Sequence, residues 1–227
     1  MLGYVLYREA DAPRPPFCRV GGVRFRAVYV ARGAGPRARL SAAAAARVLR
    51  REGVRTAVFP EDYVNYQSFA ARGVAAPALP PLYRATAAAV ALRCLAQQGV
   101  APRQAAVALL APSPTPELAR AAEALSSQVR HLILPLPGGE ALARELRFRH
   151  GVSPRLVAPG EGFCADAALC FDRFDAPAGA VPLYDPALAV RYDAAEPNGL
   201  LAALWSAGAL DAGRLSVRSV CLPAPPD

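Results

Sequence analysis

Ser113 and Thr115 stand where an α/β protein places ligand contacts: just beyond a continuous apolar run of strand length, residues 105–110, and at the opening of a Thr115-Pro116-Glu117 helix start. Hydroxyls at such a position either touch an anion or cap the helix that follows. Gly138 and Gly139 follow the next apolar run, 131–136, where paired glycines serve either a ligand that approaches the backbone or a tight turn. Asp172 closes a further run, 166–171, and together with Glu161 and Asp175 it has the oxygen chemistry of a cation site, at an unspecific spacing. Other chemistries are excluded by what the chain lacks. All 26 basic residues are arginine, so no lysine is present to form a Schiff base or to serve a phosphate-binding P-loop. The two histidines, His131 and His150, are too few for a histidine-built metal site, and no serine sits in a G-x-S-x-G setting. Cys18, Cys94, Cys164, Cys170 and Cys221 are odd in number and show no C-x-x-C spacing, which predicts reduced, mostly buried thiols. No catalytic residue, metal ligand or cofactor is assigned.

Charge is unevenly distributed along the chain. Residues 14–55 hold eleven arginines and a single acid, Glu52, whereas residues 101–227 carry slightly more acid than base. Arg47, Arg50 and Arg51 head the candidates for a nucleic-acid contact; the same residues also suit a solvated helix face. With 54% hydrophobic and 19% charged residues the composition is that of a chain able to bury a core. Exclusive use of arginine points to a GC-rich, bacterial genome. No basic leader followed by an apolar run opens the chain, and no apolar stretch reaches the roughly 18 residues that span a bilayer, so the expectation is a cytoplasmic protein with no membrane partner.

The elements that position these residues are legible as alternating patterns. Segments 3–8 and 23–30 predict strands in an antiparallel opening. Ser41 is the expected cap of a helix over 42–52 with Leu40, Ala44 and Val48 inward and Arg47, Arg50 and Arg51 outward, stopped at Gly53. A strand at 54–60 and a short helix at the start of 61–73 follow, in which Tyr63, Tyr66 and Phe69 form one helix face against the core or, less simply, stack on bases. Residues 86–98 repeat apolar positions at helical spacing up to Gly99. Strands at 105–110, 131–136, 154–158 and 166–171, separated by a helix that starts at Thr115 with Leu118, Ala121, Ala122 and Leu125 as its buried face and by a helix over 139–150, imply parallel pairing. One short strand is expected near 181–184, an Asn198-capped helix through Ser206, and a closing strand over 214–222.

The run from Leu82 to Gly151, a helix ending in glycine followed by buried strand, helix, strand and helix, resembles the hinge and first Rossmann half of shikimate-dehydrogenase-like two-domain proteins. The resemblance covers about a third of the chain and implies a Rossmann-like, mostly parallel sheet with a smaller N-terminal α/β lobe: residues 1–81, a connecting helix at 82–99, and 100–222. The motifs that would imply the activity are absent. Ala111-Pro112-Ser113-Pro114-Thr115-Pro116 replaces the G-x-G-x-x-G/A turn, Leu134-Pro135-Leu136-Pro137 replaces the acid that holds a ribose, with Glu140 the nearest substitute, and the family's catalytic lysine has no counterpart. The expected role is binding or assembly through an altered ligand site at Ser113, Thr115, Gly138, Gly139 and Asp172. Two alternatives stay open: an enzyme acting on a small or nucleotide-like substrate in a cleft between the lobes, and a nucleic-acid-binding protein. As partners, a small anionic ligand, a nucleic acid and a second copy of the chain all remain open.

Overall fold

The computed structural model describes residues 1–9, 13–158, 161–173 and 177–223. The chain divides into two units, Met1–Leu79 with Ala195–Asp211, and Pro80–Ala194 with Ala212–Asp227. The helix expected over 198–206 therefore packs with the N-terminal residues rather than with those adjacent to it in sequence.

In the first unit β1 (Leu2–Tyr7), β2 (Phe17–Val20), β3 (Val23–Val30) and β4 (Ala57–Val58) form a sheet in the order β2-β3-β1-β4. The antiparallel opening expected between the first two predicted strands is corrected here. β1 runs parallel to both β3 and β4, and the antiparallel partner of β3 is β2. Gly21 (φ 54°) and Gly22 (φ 80°) make the two-residue turn between β2 and β3, the left-handed pair that matches the twist of a hairpin. β2 escapes the sequence reading because Phe17-Cys18-Arg19-Val20 is short and lies behind prolines.

Helix α1 (Pro36–Arg51) begins five residues before the expected cap. Gly35 is its N-cap and Pro36 fills the first position, where a missing N–H costs nothing, while Ser41 lies inside the helix and its Oγ accepts from the Ala31 amide at 3.1 Å. The new register turns the helix over. Ala38, Ala42, Ala45, Ala46 and Leu49 face the core, and Leu40 and Val48 are 69% and 37% exposed. Ala44 is exposed with them, and it is the buried alanines of the other face that let the helix lie close on the sheet. Gly53 ends α1 as expected, with φ 74° and Val54 N–H donating to the Leu49 carbonyl.

The core on this face is Val5, Val28, Val30, Leu49, Val54, Ala57, Phe69 and Val74. The opposite face is covered by α7 (Asn198–Ser206), whose Leu200, Ala203 and Leu204 pack on Phe25 and Val58. Pro197, not Asn198, is the N-cap of this helix. Of residues 61–73 only α2 (Gln67–Ala70) is helical, so Tyr63, Tyr66 and Phe69 share no helix face. They belong instead to an aromatic cluster in which Phe59 stacks on Tyr63 (5.5 Å) and meets Phe69 edge-on (5.0 Å).

Gly3 is required by contact. A Cβ there would lie 2.9 Å from the Ala57 Cβ and 3.1 Å from Leu49 Cδ1, inside the seam between β1 and β4. Gly3→Ala is expected to cost about 1–3 kcal/mol by overpacking, measured as a lowered denaturant midpoint. Arg26 ties β3 to the end of α1: its Nε and Nη2 donate to both Glu52 oxygens (2.6 and 2.8 Å) and its Nη1 to the Pro16 carbonyl (2.7 Å). The hydrogen bond from Arg26 holds the Glu52 carboxyl below its ordinary value of 4.5. Because folding lowers this pKa, the pair's contribution is complete above the ordinary value and is lost as pH falls through the lower folded one. Glu52→Gln should remove that acid-side loss, by no more than about 1 kcal/mol for a pair open to water, as read from unfolding curves at pH 3 to 6.

In the second unit α3 (Pro80–Ala85) and α4 (Ala87–Gln97) precede β5 (Ala106–Leu110), α5 (Pro116–Ser126), β6 (His131–Leu134), α6 (Glu140–His150), β7 (Arg155–Leu156), β8 (Ala167–Cys170) and β9 (Val181–Pro182). Among the described residues the strands form one parallel sheet in the order β7-β6-β5-β8-β9. This confirms the expected α/β class. β5 is buried on both faces, with Val107, Leu109 and Leu110 all at most 1% exposed, as its unbroken apolar run requires. The predicted closing strand, β11 (Val217–Cys221), does not join this sheet. It pairs antiparallel with β10 (Ala189–Tyr192), a strand hidden in the sequence by flanking prolines and aspartates. Tyr83 OH donates to the Leu188 carbonyl (3.0 Å) and Thr86 Oγ1 meets Tyr192 OH (2.9 Å), anchoring this ribbon to α3 and α4.

Candidate functional site

In the second unit the strand order reverses at β5: the chain moves through α5 to β6 on one side and returns to β8 on the other. Open parallel sheets bind ligands outside the carboxyl ends of strands at such a reversal. Ser113 and Thr115 follow β5, Asp172 follows β8, and Gly138 and Gly139 follow β6, so all five sequence-derived candidates lie along one edge of one sheet. Ser113 is exposed. Thr115 Oγ1 accepts the Leu118 amide (3.2 Å) and caps α5. Thr115→Ala should cost about 0.5–2 kcal/mol if capping is its work, and the same whether or not a ligand is present. Asp172 Oδ1 accepts the Arg173 amide (2.8 Å). Gly138 has φ 72°, and a Cβ on Gly139 would meet Leu156 Cδ2 at 3.2 Å and the Leu136 carbonyl at 3.3 Å, so turn geometry and packing account for both glycines. Pro112, Pro114 and Pro116 remove three amide donors from the turn where a dinucleotide fold would present them to a pyrophosphate.

The remaining candidates are dispersed. Glu161 is engaged by Arg155 (2.9 Å), which lowers its carboxyl pKa, and Asp175 lies outside the described residues. His150 Nε2 meets Glu123 Oε1 at 3.0 Å at the end of α6, and His131 is exposed at the start of β6. Arg47, Arg50 and Arg51 are all exposed on α1, with Leu40, Ala44 and Val48 interleaved on the solvent side. A cavity of about 550 Å³ lies at the amino end of β8, lined in part by Cys94, Phe163, Cys164 and Asp166. Asp166 is committed there to the Ala106 amide (2.7 Å), and burial pushes the Cys94 thiol up to about 11.

The first unit holds a site the sequence reading missed. Its three parallel strands end together in Tyr7, Val30 and Val58, and a groove of about 570 Å³ opens at that edge and along the adjoining sheet face. Tyr4, Tyr7, Tyr29, Phe59, Arg14 and Arg32 line it, with prolines 13, 15, 60 and 197 in its walls. The Arg32 guanidinium stands 4.5 Å from the Tyr7 ring centroid. Tyr7 OH donates to Asp62 Oδ1 (3.0 Å), Tyr29 OH to the Pro15 carbonyl (3.2 Å), and Arg14 Nη2 to the Glu9 carbonyl (3.3 Å). Burial raises the Tyr7 phenol, and Asp62 raises it further. Burial likewise raises the Cys18 thiol, which keeps it protonated and a poor nucleophile.

Beside the groove, Gly33-Ala34-Gly35-Pro36-Arg37-Ala38 reads G-x-G-x-x-A across the turn from β3 into the first residues of α1. Placing the helix start at Ser41 concealed it; the glycine pair before a proline was the available signal. Gly33 needs its left-handed φ of 96°, and Ala38 is buried in the third position. At Gly35 φ is an ordinary −68°, and a Cβ would meet nothing within 4 Å. One feature departs from a dinucleotide unit: β4 pairs with β1, which lies between it and β3.

The alternating strands and helices, the parallel five-stranded sheet and its order define a Rossmann-like α/β protein. No family model and no curated protein sequence matches the chain. Among solved structures it is similar to L-tryptophan dehydrogenase from Nostoc punctiforme, at 10% identity and a TM-score of 0.30, over 74% of this chain and 55% of the dehydrogenase. The chain spans about half the length of that protein. Among the described residues no helix is long and apolar enough to cross a membrane.

Proposed function

We propose that this chain is a Rossmann-like binding protein for a small anionic ligand, and not a nicotinamide-dependent dehydrogenase. The observation that carries the reading is the groove of the first unit. It is of ligand size, lies at the carboxyl edge of parallel strands, and is lined by one acid, Glu9, and by two arginines that form no ion pair among the described residues. The edge holding Ser113, Thr115, Gly138, Gly139 and Asp172 is a second position of the same kind, where the proline turn withholds the amide donors that a pyrophosphate would need.

A thermal-shift screen of small carboxylates and phosphates tests this, since a ligand at a hundred times its dissociation constant adds about 2.7 kcal/mol to stability. Stabilisation that vanishes in a double Arg14→Gln, Arg32→Gln variant is the expected result; no stabilisation by any anion would overturn it. NAD(H) and NADP(H) are expected to show no saturable binding below millimolar concentration, and a micromolar dissociation constant by calorimetry would restore the dehydrogenase reading.

A second reading, nucleic-acid binding, is favoured by α1, which presents Arg37, Arg39, Arg47, Arg50 and Arg51 with no acid in its length. It requires affinity that falls steeply with salt and a slope flattened by neutralising Arg47, Arg50 and Arg51 together. Absence of a mobility shift at low salt would remove it.

A further inference from the structure

We infer that the groove of the first unit takes a planar aromatic ring carrying one phosphate or carboxylate, held with the ring against tyrosine faces and the anion on Arg14 and Arg32. This rests on the binding reading above and narrows the ligand to a chemical class.

The donor inventory of the lining selects the class. Pro13, Pro15, Pro60 and Pro197 contribute no N–H, so the walls they form offer few backbone donors to a polar ligand. The hydroxyl protons of Tyr7 and Tyr29 are already given to Asp62 and to the Pro15 carbonyl. What these two residues present to a ligand is therefore the ring rather than a donating hydroxyl. The charged donors belong to the guanidinium groups, with the Tyr4 hydroxyl as a neutral donor beside them. Arg14 spends one N–H on a neutral carbonyl, and Arg32 is held over the Tyr7 ring, a contact that orients the fork without neutralising it. Guanidinium forks match the oxygens of carboxylate and phosphate.

The half-buried faces of Tyr4, Tyr29 and Phe59 are apolar surfaces on which a flat group removes water, and a ring beside them gains both burial and stacking. A cavity of about 570 Å³ holds a ring, a linking group and one anionic group, the scale of a mononucleotide or smaller. Burial keeps the Cys18 thiol protonated, and the capture inferred here is reversible, with no bond made or broken.

Titration calorimetry of the full chain with adenosine 5′-monophosphate, benzoate, adenosine and inorganic phosphate is the test. At least one aromatic anion should bind saturably and at least about tenfold more tightly than both adenosine and inorganic phosphate, a difference equivalent to about 1.4 kcal/mol. The stronger of the nucleotide and benzoate identifies phosphate or carboxylate as the anion. Arg32→Gln should bring the aromatic anion down to the affinity of adenosine. Tyr29→Leu should weaken it about tenfold while Tyr29→Phe, which keeps the ring, retains binding; circular dichroism checks that each variant is folded. Inorganic phosphate binding as tightly as the aromatic anions would overturn the ring requirement and leave small-anion binding standing. Adenosine binding as tightly as its monophosphate would overturn both. Saturable binding by none of the four would overturn the inference, with the wider anion screen then deciding the broader reading by itself.

Discussion

Phe69→Ala should lower the stability of the first unit by about 3–5 kcal/mol, the largest single effect expected in this protein. Phe69 is 0% exposed, is held in a helix of only four residues, and meets Phe59 and Tyr63 edge-on at 5.0 and 5.8 Å. Truncation removes the ring's transfer energy and both aromatic contacts, and it leaves a cavity that the stiff surroundings of Val5, Val54 and Val74 cannot close. Trp205, the sole tryptophan, lies in α7 of the same unit, so its fluorescence in a denaturant titration reports the loss directly. A change below about 1 kcal/mol would show that this aromatic cluster is not a packed core. The same variant tests the groove from behind, because Phe59 belongs both to the cluster and to the groove wall.

Leu125→Ala is the corresponding experiment in the second unit, with an expected loss of about 2–5 kcal/mol. Leu118 and Leu125 are both 0% exposed on the inner face of α5, with Ala121 and Ala122 between them. Alanines at those positions bring the helix close to its neighbours, and close neighbours relax little when a leucine is removed, which places the cost well above the transfer term alone. Far-UV circular dichroism against denaturant measures it. A neutral Leu125→Ala with a native spectrum would mean that α5 does not cover the parallel sheet, and inferences drawn from the strand ends after β5 and β8 would fall with it.

What could be read from the residues alone followed from local rules. The Thr115-Pro116 start of α5 is one case, since a capping hydroxyl and a proline at the first helical position act within four residues of each other. The glycine stops at Gly53, Gly99 and Gly151, all at positive φ, are another. The apolar run of β5 announced a strand buried on both faces because no exposed edge of a sheet tolerates such a run. Arg47, Arg50 and Arg51 were correctly placed outward, yet Leu40, Ala44 and Val48 were not inward. In a helix with six alanines the hydrophobic pattern is nearly symmetric, and a five-residue error in the start rotates the inferred face.

The groove was hidden for a different reason: its lining residues come from β1, β2, β3, the segments after β1, β3 and β4, and the N-cap of α7, separated by up to almost two hundred positions. Sequence periodicity by itself determined that this is an α/β protein, where most of its helices stop, and that its second half carries no glycine-built phosphate turn. Tertiary structure alone decided the parallel pairing of β1 with β3, the return of α7 to the first unit, and the meeting of Tyr7, Tyr29, Arg14 and Arg32 around one groove. Backbone propensity and capping act over a few residues and are written locally. Strand order and the convergence of side chains are chosen by which faces can be buried together, and that choice exists only when the whole chain has folded.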